Sequence, residues 1–392
     1  MPSIGGREDK AAQTLLKITV KTTQKTLIAL ALASIGGMAA AQQSNVTLYG
    51  LIDANVGSFK GAATGVGAMD KRVTKLDSGG MSTSHFGLRG SEDLGGGFSA
   101  NFDLSAFFRN DVGAPGRSDA IGAPVNVAGD PFWGRASWVG IASKDFGQLR
   151  LGNAATQMFV NSITTNAFGD STVFSPLNLV THIGAQQAGG TSWGNQIVYD
   201  SPVFSGFKFA AAHSFSEGRG GNSSARVLYE RGNWSTSFVW QSVKKDPLTF
   251  ADGTTTNDMK TMVLGGTYDF GAAKVFAHIG RIQNDGTAAK PQDVSYRLAE
   301  VSVAVPVGAG RVLAGYALRT TSDTPAAVAA AAAGGNVRRA VLTLAYDHQL
   351  SRRTDVYALV MNDRTRTLTL PVPLATVSAA GTSAVVGIRH RF

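Results

Sequence analysis

Six histidines, at 85, 182, 213, 278, 348 and 390, are the side chains best suited to metal binding or proton transfer in this sequence. None sits in an HExxH pattern or another metal-ligand spacing. No G-x-S-x-G elbow is present. A Ser-His-Asp set spread over several elements stays open, because such sets are recognised by geometry and not by order. The run "GSEDLGGG" (90 to 97) lacks the helix and lysine that a phosphate-binding loop needs, and reads as a tight turn. The absence of cysteine excludes disulfides and thiolate metal sites. No cofactor, metal or catalytic residue is therefore expected, and the chain does not read as an enzyme. A pI near 9.7 suits nucleic acid, but the arginines are scattered without a helix or patch to present them, so no nucleic-acid partner is expected.

What remains is a set of charges placed at alternate positions. Asp53, Arg89, Asp103, Arg150, Asp269, Glu300, Arg339, Asp347, Arg389 and Arg391 all fall on the polar face of alternating segments. Arg135, in "FWGRASWVG", is expected to join them although its segment alternates less cleanly. In "VTLYGLIDANV", Val46, Leu48, Gly50, Ile52, Ala54 and Val56 share one face and Tyr49, Asp53 and Asn55 the other. The chain closes on "GTSAVVGIRHRF", where Phe392, His390, Ile388, Val386 and Ala384 oppose Arg391, Arg389, Gly387 and Val385. Period two is the strand period.

These strands recur every ten residues or so, divided by breaks of two kinds. Seven short breaks, at 92–97, 143–147, 201–206, 231–233, 269–272, 306–310 and 350–353, are rich in turn formers. Eight long ones cover 59–80, 110–131, 154–193, 216–224, 245–259, 284–293, 322–336 and 364–380. Sixteen strands follow, and an even count puts both termini on one side. "DRTRTLTLPVPL" is expected to extend the last hairpin, with its prolines at the exposed edge.

Composition fits one large β-structure: 47 glycines, 20 phenylalanines and 16% charged residues among 392 describe neither a disordered chain nor helical spans. Lys21 and Lys25 precede the apolar stretch Leu27 to Ala41, which ends in small residues. This reads as an N-terminal extension plus signal peptide over 1–41, cleaved to leave the mature chain at Gln42, with translation starting either at Met1 or near Val20. Cleavage there removes five of 36 basic and two of 27 acidic residues and lowers the net charge from +9 to +6.

A soluble sandwich would alternate in the same way with its apolar face inward. An export signal, short turns on one side, long loops on the other and strands at both ends favour an all-β fold of another kind: a sixteen-stranded antiparallel transmembrane barrel, polar inside and apolar toward lipid. Phe98, Phe146, Phe207, Trp234, Phe270 and Phe392 beside the short turns form the expected aromatic girdle. A barrel in lipid leaves no unpaired edge, so the strand ending at Phe392 must pair with the one starting near Asn45.

Four blocks, "VTLYGLIDANV", "HFGLRGSEDLGGGF", "LSRRTDVYALV" and "VVGIRHRF", resemble the general diffusion porins of Gram-negative bacteria in their beta-proteobacterial form, from about Asn45 to Phe392. The resemblance implies a homotrimeric outer-membrane pore for passive diffusion of ions and small hydrophilic solutes, in contact with outer-membrane lipid and lipopolysaccharide. It also implies that Phe392 and the penultimate Arg391 are read by the outer-membrane assembly machinery. The third long break, 154–193, corresponds to the loop that folds inward to narrow such pores. Family pores set an acidic loop against basic wall residues, whereas here the loop carries one carboxylate, Asp170. Arginines common in relatives are replaced by His85 and Asn153, while Arg89 of "LRG" is kept. The expected constriction set is Asp53, His85, Arg89, Asp103, Arg135 and Asp170, with mild anion preference. Near the turns, Arg150, Asp269, Asp347 and Arg391 are expected to pair across strands. A substrate-specific anion channel and a surface receptor or adhesin barrel are the alternatives.

Overall fold

The structure is a computed structural model that describes residues 45–60, 72–117, 131–182, 190–215, 221–244, 259–284, 294–323, 338–369 and 375–392. The signal peptide read at 1–41 lies outside them.

Among the described residues, one antiparallel sheet contains eighteen strand segments. Two of these, Val73–Ser78 and His85–Gly95, pair with the upper and lower halves of one neighbour and form a single interrupted strand, β2. The two-residue segment Ala114–Pro115 only extends the end of a neighbouring strand. The wall therefore has sixteen strands: β1 (Asn45–Phe59), β2, β3 (Phe98–Arg109), β4 (Ala136–Ser143), β5 (Gly147–Ala155), β6 (Ser192–Asp200), β7 (Phe207–Ser214) and β8 (Asn222–Arg231). It continues through β9 (Trp234–Val243), β10 (Met259–Asp269), β11 (Lys274–Asn284), β12 (Val294–Val307), β13 (Gly310–Asp323), β14 (Arg338–Gln349), β15 (Thr354–Thr369) and β16 (Ala375–Arg391).

The sheet closes on itself. β1 pairs with β16 from Leu51↔Arg391 to Ser58↔Ala384, and Gly50 and Phe392 exchange two backbone hydrogen bonds of 3.1 Å. Every strand thus has two partners, as a lipid-immersed backbone requires. A Cβ at Gly50 would collide with the Phe392 ring, so the closing contact needs glycine there.

The faces sort as the alternation predicts on β1, where Leu48 is 60% exposed and Asp53 0%. All six girdle aromatics point outward beside the short turns. Phe98 stacks on Phe146 at 6.0 Å and Tyr268 meets Phe270 at 4.5 Å.

Two loop readings change. The break at 59–80 contains the upper segment of β2, whose pairing with β1 runs from Ala54↔Ser78 to Phe59↔Val73. After Ser78 the chain turns inward over 79–84 before β2 resumes. The break at 364–380 shrinks to 370–374, because the last hairpin stays paired to Thr369↔Ala375.

Candidate functional site

In the connection from β5 to β6, the described residues 156–182 fold into the lumen. Thr156 accepts a hydrogen bond from Phe159 N and caps α1 (Gln157–Thr164). Ser175 caps α2 (Pro176–Thr181), which has proline in its first turn, where no backbone N–H is needed. Between the helices lies a tight turn bearing Gly169 and Asp170.

This loop is fixed to one side of the wall. Thr165 Oγ1 lies 2.9 Å from His278 Nε2 on β11. Ala167 N donates to Ser302 Oγ on β12, and Thr343 Oγ1 on β14 donates to Phe174 O. Arg339 on β14 donates to Leu179 O at 2.8 Å and forms a bidentate pair with Asp363 on β15. Apolar side chains fill the seam: Met158, Phe174 and Val180 from the loop meet Val239, Ile282, Leu313, Val341 and Met361 from the wall. Phe174 stacks on Phe59 at 6.3 Å. His182, at the end of α2, is buried with Nε2 3.2 Å from Ser162 Oγ, and burial holds its imidazole down to about 4.

The inward turn of β2 holds the loop's tip. Asp53 accepts hydrogen bonds from Met81 N and Ser82 N at 2.8 Å and from Tyr357 Oη at 2.6 Å. Ser82 Oγ then donates to Asp170 at 2.7 Å, and Ser171 Oγ donates to Gly80 O at 2.8 Å. Asp53, expected to face the solute path, is instead fully buried and anchors this turn. Beneath Asp170 lies an ion-pair lattice. Arg389 joins Asp355 at 2.6 Å and Asp347 at 2.8 Å, Arg311 joins Asp347 at 2.9 Å, and Arg391 joins Asp355 at 2.7 Å. Arg311, Arg389, Arg391 and Asp170 line a cavity of about 370 Å³. Sequence parity placed Arg389 and Arg391 on this face but could not show that they meet Asp347 on β14 and Asp355 on β15.

Across the lumen, no loop among the described residues packs over the Tyr49 side of β1 to β4. Tyr49 Oη donates to Asp103 at 2.7 Å. The Arg89 guanidinium lies 5.0 Å from the Tyr49 ring centre. Arg135 reaches Tyr49 Oη at 3.4 Å and Ser105 Oγ at 3.3 Å, both neutral groups. His85 sits edge-on to Tyr49 at 6.2 Å, buried, with Nδ1 2.9 Å from Thr83 O. Asn153 spans to Trp133 O and Gly134 O at 3.1 Å each and so positions the segment leading to Arg135. The structure thus brings His85, Arg89, Asp103 and Arg135 together around Tyr49, which sequence reading placed on this face without a role. Asp170 stands with the loop.

The hydroxyl–imidazole–carboxylate line Thr165–His278–Glu300, with spacings of 2.9 and 2.8 Å, is the one described arrangement resembling a hydrolytic triad. All three side chains are buried beneath the loop, and Thr165 also bonds Asn161 O at 2.7 Å. A substrate has no approach to that hydroxyl, so the line serves as an attachment. Among the described residues no cluster of metal-ligating side chains exists.

Comparison with known proteins places this arrangement in context. Residues 26–368 match the family model described as Gram-negative porin. The chain is 32% identical to outer membrane porin protein 32 of Delftia acidovorans, over 94% of this chain and all of that one. The structure is similar to the anion-selective porin from Comamonas acidovorans, with a TM-score of 0.70, 26% identity and coverage of 89% of this chain and 100% of that one. It also shares its fold with the trimer form of OmpT of Vibrio cholerae, at a TM-score of 0.64, 15% identity and coverage of 89% and 99%.

Proposed function

The chain belongs to the Gram-negative porin family and forms a β-barrel of the outer membrane, and on that premise we propose that ions and small hydrophilic solutes cross it by passive diffusion with a mild preference for anions. The observation that carries the preference is the uncovered wall. Arg89 and Arg135 flank Tyr49 there, while the neighbouring carboxylate, Asp103, accepts the tyrosine hydroxyl. Fixed positive charge along a narrow aqueous path raises the local anion concentration. The similar Comamonas acidovorans protein is described as anion-selective, which supports the same sign here.

No catalytic step belongs to this reading: the one triad-like line is buried. The chain is exported by cleavage after Ala41 and assembles as a homotrimer, with Phe392 and Arg391 recognised during insertion. The Vibrio cholerae barrel of this fold occurs as a trimer. Planar-bilayer recording of the refolded chain tests the proposal. Stepwise openings in groups of three, with a reversal potential on the anion side of a salt gradient, are expected. A properly folded barrel that does not conduct would contradict it and move attention to the loops as a binding surface.

A further inference from the structure

The sealed seam of the lumen ends at the inward turn of β2, and that turn has the build of a wedge. In the pairing of β2 with β1, Ser78 stands opposite Ala54 and His85 opposite Leu51, so the six residues 79–84 face only two, Ile52 and Asp53. An ordinary bulge sets two residues against one. The excess here leaves the wall and enters the lumen. All six residues are buried, and Met81 joins the apolar cluster that contains Phe59 and Tyr357 from the wall and Phe174 from the loop.

On the wall side the turn is held closely. Asp53 O accepts from Gly79 N at 2.9 Å and Asp53 N donates to Ser84 Oγ at 3.0 Å, beside the three hydrogen bonds that the Asp53 carboxylate accepts. A Cβ at Gly80 would collide with the Tyr357 hydroxyl and the Asn55 amide, so glycine is what lets the turn seat this deeply. On the loop side two hydrogen bonds make the join, from Ser82 Oγ to Asp170 and from Ser171 Oγ to Gly80 O. The space beneath that join is open. The cavity of about 370 Å³ runs from Ser82 and Asp170 to Arg311 and Arg391, and a second cavity, of about 500 Å³ beside the 308–310 turn, is lined by the same two arginines. Turn and loop tip together therefore close the top of a polar passage that leads to the turn-side mouth.

We propose that the 79–84 turn is a second constriction element: it closes the space between the loop tip and the wall of β1 and β16, and its two hydrogen bonds to the tip set the size limit for solutes. With those bonds gone, the tip keeps its attachments to His278 on β11, Ser302 on β12 and Thr343 on β14, while the passage beneath joins the main lumen. Asp53 is a positioning residue here, acting on the pore through the turn that it anchors.

The assignment rests on the passive-diffusion reading, and the full chain refolded into planar bilayers tests the two separately. Exclusion of graded polyethylene glycols gives the size limit. S82A/S171A, which removes both hydrogen bonds, is expected to show a higher single-channel conductance and a limit shifted to larger polymers. In S82C/D170C/S171A a disulfide replaces the join, and because the chain has no cysteine of its own no other pair can form. Treated with diamide it is expected to cross-link and keep the wild-type limit, and reduction is expected to shift that limit as in S82A/S171A. Failure to cross-link in the folded barrel would overturn the join itself. Cross-linking with one size limit in the oxidised, reduced and alanine forms would overturn its control of solute size while leaving conduction intact. A cross-linked barrel that conducts in no form would overturn the passive-diffusion reading and this assignment with it.

Discussion

The two halves of the lumen wall follow opposite rules. On the side of β9 to β15, inward positions such as Val239, Ile282, Leu313, Val341 and Met361 are apolar and sealed under the folded loop. Toward the turn-side ends of β1 to β4, inward positions are Tyr49, Arg89 and Asp103, with Arg135 beside β4, and no loop among the described residues packs over them. The first half therefore behaves as a protein core whose energy lies in packing. The second behaves as an aqueous wall whose effect lies in charge. On the proposed reading, constriction and selectivity are divided between them: the covered half sets how far the loop projects, and the bare half sets which ions are favoured.

Breaking the covered half should have the larger energetic effect. Phe174→Ala removes a fully buried ring stacked on Phe59 and should cost about 3–5 kcal/mol. The expected result is a lower thermal transition with noisier single-channel current as the loop loosens, both read against unchanged ion preference. Acid is a second way in. His182 is neutral with its pKa near 4, so an opened or unfolded loop, whose histidine titrates near 6.5, binds the proton more readily. Stability is thus full above about pH 6.5 and declines as pH falls toward 4, by up to about 3 kcal/mol. Current noise rising over that interval in the wild type, and absent from His182→Gln, is the expected observation. On the bare half, Tyr49→Phe removes one part-buried hydrogen bond to Asp103. It should cost only about 1 kcal/mol, while freeing the carboxylate and moving the reversal potential toward cations.

The difference between the halves also explains what could be read in advance. On β1, Val46 to Val56 alternate against Tyr49, Asp53 and Asn55, and strand, face and closing partner all followed. β11, "KVFAHIGRIQN", is harder to read, because lipid covers Ile279 while the loop covers Ile282, and burial on both faces weakens alternation. The upper segment of β2, "VTKLDS", is too short to show a period and runs into a Ser/Gly stretch, so it read as loop. Asp53 was placed on the correct face, but its burial depends on the 79–84 turn folding inward, which no spacing within β1 reports. The ion-pair lattice of Arg311, Arg389, Asp347 and Asp355 joins β13 to β16 across the chain's last third, and parity gives a face without giving a partner.

If the bare wall sets the sign of selectivity, reversal potential under a salt gradient measures that sign directly. Wild type should lie on the anion side and R89Q/R135Q should move clearly toward cations, with thermal stability little changed because neither guanidinium has a carboxylate partner among the described residues. A cation-selective wild type, or a double variant with the wild-type reversal potential, would contradict it.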